Sequence, residues 1–386
     1  MKESLQTNGK DLVLIGGGHS HAIALRLFGI NHRSGLRITL ISDVSHTPYS
    51  GMLPGHIAGF YNFAECHIDL QSLTRFAGAK LYIDQAIGLD LDRNRVICAN
   101  RPPVPFDILS IDIGSTPAQE SVPGVAEYTI PAKPVPQFLN QWQKIIAMSA
   151  IDPEKSISLG IVGGGAGGVE LALTMARRIQ LIPAFNVKIH LIHRGAALTP
   201  SYNQWVQKRL DQILSDRGIS IHLRETVSQV LPDRIICESG LTIPSNYTFW
   251  VTHASAANWI KESGLATDGN GFILVRDTLQ SLSHPHIFAA GDIATMVNHP
   301  RPKAGVFAVR QGKPLFENLS RSIPDSKALQ EYIPQQRYLS LIGTGDGSAI
   351  ASWGPFGWQS PLLWHWKDRI DHQFMAQFRN LPEMAR

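Results

Sequence analysis

Cysteine is scarce in this sequence: three in 386 residues, Cys66, Cys98 and Cys237, an odd number with no CxxC or CxxxxC pair among them. That excludes a disulfide framework and points to a reducing compartment, with each thiol read as a small buried apolar group. Long apolar runs are missing too. No stretch approaches the roughly 20 residues of a membrane-spanning helix, so any membrane contact is expected to be peripheral. The net charge of +4 arises from dispersed Lys and Arg without a basic run, so nucleic acid is not an expected partner. Low-complexity tracts and short tandem repeats are absent. The polar start, Met1 to Lys10, is too short and wrongly flanked for a signal peptide, which makes the cytoplasm the expected location.

Apolar residues make up 44% of the chain and charged ones 17%. At roughly 150 residues per domain, that length and composition supply two cores and a smaller element. The 33 glycines and 24 prolines are scattered among apolar runs, the pattern of many tight turns.

Two glycine clusters carry the chemistry. Asp11 to Ile15 is an apolar run followed at once by Gly16-Gly17-Gly18-His19-Ser20-His21 and then a helix-compatible stretch, Ala22 to Phe28. Strand, glycine turn and helix is the dinucleotide-binding unit: Gly16 allows the tight turn, and Gly18 lets the backbone approach a pyrophosphate at the helix N-terminus. His21 replaces the third glycine, and His19 and His21 are read as satisfied by phosphate or backbone. With no Cys or acidic cluster beside them, a metal is not expected. Arg37 to Ser42 reads as the second parallel strand, ending where an acid would hold a ribose; Asp43 is the candidate, one position beyond Ser42, so the contact is shared or displaced.

About 147 residues later the pattern returns. Ser158 to Val162 is apolar, and Gly163, Gly165 and Gly168 complete GxGxxG ahead of a helix to about Ile179. The repetition predicts two cofactors on two doubly wound α/β Rossmann domains. The next strand, Val187 to Ile192, ends in His193-Arg194 where an NAD-selective site carries an acid. Arg194 facing a ribose phosphate and Arg194 solvated at a strand end both fit, so the second ligand is read as NAD(P)H.

These residues resemble the two-dinucleotide-domain flavoproteins, the superfamily of type II NADH dehydrogenases, sulfide:quinone reductases and pyridine nucleotide-disulfide oxidoreductases. The resemblance is carried by GGGHSH at 16–21, by Phe106 to Ser115 against the pattern YDxLxxATGS, by GGGAGGVE at 163–170, and by His286 to Ala294. It implies FAD, with Gly114, Gly291 and Gly305 near it, the Asp292 carboxylate on the ribityl chain, and Pro48 and Tyr49 in a loop, Thr47 to Pro54, along the isoalloxazine. It implies Glu170 at the flavin–nicotinamide junction, against a role limited to complementing the helix end, and Lys303 beside the flavin's pyrimidine edge. More narrowly, residues 46–55 and 339–347 look like the NADH-dehydrogenase-like module fused ahead of selenide, water dikinase. No kinase-like portion follows Arg386, so the module alone or a free-standing relative is expected.

Several residues depart from the pattern. His253 stands at a glycine position of the second ATG-like motif. Gly305 replaces the Gln of the pair associated with quinone, which counts against a quinone acceptor, and the cysteine pair of sulfide:quinone reductases is missing.

The family's organisation places FAD on 1–127 and 271–325, NAD(P) on 128–270, and a C-terminal interface or anchoring segment at 326–386. In that segment Trp366, Ile370, Phe374 and Phe378 recur every four residues as one apolar helical stripe. The stripe suits packing on the first domain, a homodimer partner or the lipid interface, and the three stay open. The expected function is hydride transfer from NAD(P)H to FAD and electron delivery to a small-molecule acceptor, quinone or soluble. The alternative is an FAD-binding accessory module of selenium metabolism with little turnover.

Overall fold

The computed structural model describes residues 9–117, 122–151, 156–183, 185–252, 254–323 and 328–382. Residues 1–8, His253 and the expected boundary at 325/326 lie outside them. The strands that frame the site are β1 (Lys10–Ile15), β2 (Leu36–Ser42), β3 (Lys80–Ile83), β4 (Ile108–Ile111), β5 (Thr129–Pro131), β6 (Ile157–Val162), β7 (Val187–His193), β8 (Ser220–Leu223), β9 (Tyr247–Trp250), β10 (Ile287–Ala289), β11 (Ser340–Gly343), β12 (Ala349–Trp353) and β13 (Phe356–Ser360). The helices that frame it are α1 (His19–Ile30), α2 (Ala166–Gln180), α3 (Gly305–Arg321) and α4 (Pro361–Arg379).

Two five-stranded parallel sheets form the body, ordered β10-β4-β1-β2-β3 and β5-β9-β6-β7-β8. Strand β10 joins the first sheet although more than 100 residues of the second sheet intervene in the chain. Leu12, Val13, Leu14 and Ile15 are at most 2% exposed, because helices cover both faces of a parallel sheet and leave no face for polar residues. In both sheets the strand before the glycine turn, β1 or β6, is interior. Each turn therefore opens at the carboxyl edge of its sheet, where doubly wound folds place ligands.

Helix α1 packs on α3. Phe28 meets Phe316 edge-on at 4.8 Å, and a Cβ on Gly312 would sit 2.6 Å from Ile23, so this glycine sets the close approach of the two helices. The two helix N-termini consequently lie side by side over the edge of the first sheet.

The C-terminal segment forms an antiparallel meander, β11-β12-β13, and helix α4. The expected four-residue stripe divides: Phe374 and Phe378 are 7% exposed, whereas Trp366 and Ile370 are 47% and 42% exposed. A step of four residues advances about 400° around a helix of 3.6 residues per turn. The stripe accordingly drifts off the buried face, which runs instead through Leu363, Trp364, Asp371, Phe374, Met375 and Phe378. That face lies on the first domain, where Phe374 stacks on Tyr49 at 4.4 Å. Among the described residues, no helix is long and apolar enough to cross a membrane.

Candidate active site

A cavity of about 430 Å³ lies over the first glycine turn, within the roughly 300–1,000 Å³ of cofactor sites. Gly16, Gly18, His19, Ser42, Asp43, Pro48, Gly114, Asp292, Lys303 and Gly305 all line it. Residues from β1, β2 and α3, and from the turns that follow β4 and β10, thus converge on one space. A larger opening of about 760 Å³, beside His32, Arg33, Glu317 and Arg321, lies at the opposite ends of α1 and α3 from the turn.

The lining fits a dinucleotide. Gly18 caps the 12-residue α1 with extended backbone and has no side chain to bond its first turn, where His21 N instead donates to Asp112 Oδ2 at 3.1 Å beside the cavity. Gly16 has φ +91° and its Cβ would lie 2.4 Å from Asp112 O, so only glycine fits. Gly305 begins α3 and brings a second helix N-terminus to the same space. The Ser42 hydroxyl is taken up locally by Val44 O at 2.9 Å, whereas Asp43 beside it is exposed and also lines the cavity.

Asp292 has partners that sequence reasoning missed. Its Oδ2 accepts from Lys133 Nζ at 3.0 Å and from Ser115 Oγ at 3.3 Å. Lys133 comes from the segment crossing to the second sheet and also reaches Ser115 Oγ at 3.0 Å. A lysine inside the Pro131 to Pro136 stretch was the only signal for it. Asp112 was missed as well. It is 2% exposed and follows β4, at the alanine position of the ATG pattern. A Cβ on Gly18 or Gly291 would come within 2.4 Å of its carboxyl.

Other expected site residues have different surroundings. His21 is fully buried beneath the turn, its Nδ1 2.7 Å from Gly16 O and its Nε2 2.8 Å from Ser110 Oγ. It holds the turn to β4 instead of facing the cavity, so its expected role as a cofactor contact is corrected to support. Burial pushes the His21 and His19 imidazoles down to about 4, so both are neutral. Gly291, at φ +71°, donates to Gln311 Oε1 at 2.6 Å and turns the chain toward Asp292. Tyr49 stands behind Pro48 and packs on α4.

Both catalytic candidates are bonded within the protein, Lys303 at the cavity and Glu170 away from it. Glu170 Oε1 accepts from Gly343 N at 2.9 Å, and burial raises its carboxyl above the ordinary range despite nearby Lys367. Lys367 in turn donates to Gly51 O and Asp371 Oδ2, both at 2.6 Å. Glu170 therefore faces the C-terminal segment behind the Thr47 to Pro54 loop, not the cavity. Lys303 Nζ donates to Ala294 O at 2.7 Å and Thr295 Oγ1 at 2.9 Å and lies 3.9 Å from the Phe272 ring centre. Burial pulls this ammonium down to about 8.

The second turn is built alike. Gly163 has φ +125° with Val251 O where its Cβ would be, and a Cβ on Gly168 would overlap Gly163 O at 1.8 Å. Gly165 caps α2, with open space at its Cβ position. His193 Nδ1 accepts from Gly164 N at 3.2 Å, tying β7 to the turn, while Arg194 is exposed at the strand end.

The family profile described as pyridine nucleotide-disulphide oxidoreductase matches residues 10–312, which includes both turns and the Gly291-Asp292 pair. The chain belongs to this family. A probable NADH dehydrogenase of Dictyostelium discoideum is 25% identical over 345 residues, 82% of this chain and 75% of that protein. The type II NADH:quinone oxidoreductase of Haemophilus influenzae is 23% identical over 288 residues, 63% of this chain and 64% of that protein. In fold, the sulfide:quinone oxidoreductase of Aquifex aeolicus is similar with a TM-score of 0.77 at 19% identity, over 96% of this chain and 92% of the other. The chain is an FAD-dependent NAD(P)H oxidoreductase of the NADH-dehydrogenase-like kind. Cys66, Cys98 and Cys237 are buried and unbridged.

Proposed function

We propose that the chain oxidises NAD(P)H and delivers the electrons to a quinone at a membrane surface. The observation that carries this reading is the pair of glycine turns, one opening on the 430 Å³ cavity and the other repeated on the second sheet. In this reading residues 1–127 and 271–325 hold FAD, 128–270 hold NAD(P)H, and 326–386 close the structure and face the acceptor side. Bound FAD would supply the two-electron chemistry that links a hydride donor to the acceptor. Gly16, Gly18 and the α1 N-terminus would hold the pyrophosphate, Asp43 the ribose, and Asp292, oriented by Lys133 and Ser115, the ribityl chain. Lys303, Pro48 and Gly305 would bound the isoalloxazine end, with Tyr49 behind Pro48. Gly163, Gly165 and Gly168 would hold the NAD(P)H pyrophosphate, with His193 and Arg194 at its ribose.

Quinone as acceptor is supported by the relatives' activities and by the outer face of the C-terminal segment. Trp353, Phe356, Trp358, Leu362, Trp366 and Ile370 are 42–77% exposed there, a group of large apolar side chains that suits a lipid interface. The narrower likeness to the module fused ahead of selenide, water dikinase rests on residues 46–55 and 339–347 and belongs to this reading. The accessory-module alternative draws no support from the matched enzymes.

Anaerobic addition of NADH or NADPH to the flavin-loaded chain should bleach the flavin, and a quinone in vesicles should restore its colour. No bleaching with either nucleotide would sink the dehydrogenase reading, and recovery with a soluble dye but not with quinone would sink the acceptor.

A further inference from the structure

We infer that Asp112 couples flavin loading to a proton: as FAD enters the cavity, the Asp112 carboxyl takes up one proton from solvent. The inference rests on the reading that FAD fills the cavity over the first turn.

Asp112 lines that cavity, and its Oδ2 accepts from His21 N at 3.1 Å, within the first turn of α1. The donors that a dinucleotide-binding helix offers to a pyrophosphate are therefore shared with a side-chain carboxyl. The carboxyl lies close against the backbone here, within 2.4 Å of where a Cβ on Gly18 or Gly291 would stand, so it sits at the helix end where a ligand arrives. Two anions then compete for one helix end inside a dry site, where their repulsion is poorly screened.

The groups around Asp112 do not neutralise it. From the turn after β10, Asp292 adds a second carboxylate. Below, the His21 ring is neutral and occupied by Gly16 O and Ser110 Oγ, and on the same helix His19 is neutral too. Lys133 is paired with Asp292, and Lys303 is bound to Ala294 O and Thr295 Oγ1. Among the described residues, Asp112 has no salt-bridge partner. Burial, with Asp292 adding to it, already raises the Asp112 carboxyl to about 7, against the hydrogen bonds from the α1 backbone that favour its charged form. A pyrophosphate at the same helix end moves it further in the same direction. The balance is simple: one O–H bond forms on Asp112, the proton comes from water or buffer, and no electron moves.

The sign follows from linkage. A ligand that raises a carboxyl's pKa binds more tightly to the protonated protein. The affinity for FAD should therefore be level below about pH 7, fall by up to about tenfold per pH unit above it, and level off again past the pKa of the complex.

The test is FAD binding to the deflavinated full chain, followed by flavin fluorescence from about pH 6 to about pH 9. It compares the natural chain, Asp112→Asn and Lys303→Met, because Lys303 titrates in the same window with the same sign. The natural chain and Lys303→Met should show the slope, and Asp112→Asn should be flat and bind more tightly at the alkaline end. A slope that survives in Asp112→Asn, or disappears only in Lys303→Met, overturns the inference. Calorimetry of the Lys303→Met chain in two buffers of different ionisation enthalpy reads proton uptake directly: uptake near neutral pH supports the inference, and none overturns it. Failure to bind FAD at every pH would instead overturn the cofactor reading.

Discussion

Lys133 and Asp292 stand 159 positions apart in the chain, yet Lys133 Nζ lies 3.0 Å from Asp292 Oδ2. This contact joins the strap leading into the second sheet to the strand end that returns to the first. Removing the cation with Lys133→Met leaves the carboxylate facing a bound anion. FAD affinity should drop by about tenfold, the scale of one charge-assisted hydrogen bond in a part-exposed pair. Equilibrium dialysis or flavin fluorescence reads it, and unchanged affinity would show the pair to be structural only.

Gly168→Ala places a methyl 1.8 Å from Gly163 O, so the second turn must open. The first sheet and its cavity do not contain Gly168. The purified variant should keep its full flavin content while the rate of flavin reduction by NAD(P)H in stopped flow falls by about 100-fold or more. Loss of flavin in parallel would contradict the separation of the two sites.

Glu170→Ala should destabilise the fold. It orphans Gly343 N and removes a carboxylate near the half-buried Lys367. The cost expected from leaving a buried donor unpaired is about 1–3 kcal/mol. Thermal unfolding checks this, and Glu170→Gln, which can still accept from Gly343 N, should recover much of the loss.

The outer face of α4 gives the membrane prediction. Leu362→Glu combined with Trp366→Glu alters side chains that are 77% and 47% exposed. Partition onto anionic vesicles should weaken by about tenfold or more, since each large apolar side chain withdrawn from lipid forfeits about 1.5–3 kcal/mol. Reduction of a soluble dye by NAD(P)H should be unchanged. If vesicle binding is unaffected and sedimentation shows a dimer dissociating, the face binds a second copy.

Much of the fold was legible in residue order, because its strongest signals are local. An apolar run, a glycine that needs positive φ and a helix start are neighbours in sequence, so β1 with α1 and β6 with α2 were readable to within a few residues. The turn at Gly291-Asp292 was legible only through the resemblance to the flavoprotein family. The stripe in α4 misled for a geometric reason: four-residue spacing keeps to one helix face for only a turn or two.

The sequence by itself determined the class of protein: two dinucleotide-binding units, a Gly-Asp strand end, and cysteines too few and too scattered for disulfide chemistry. Tertiary structure alone decided which polar groups meet. It drew Lys133 onto Asp292, seated Asp112 at the helix end between Gly18 and Gly291, turned His21 under the glycine turn, and gave Glu170 to Gly343. Such contacts depend on how strands far apart in the chain register side by side and on what burial does to a charge once there. Neither has a local pattern to read.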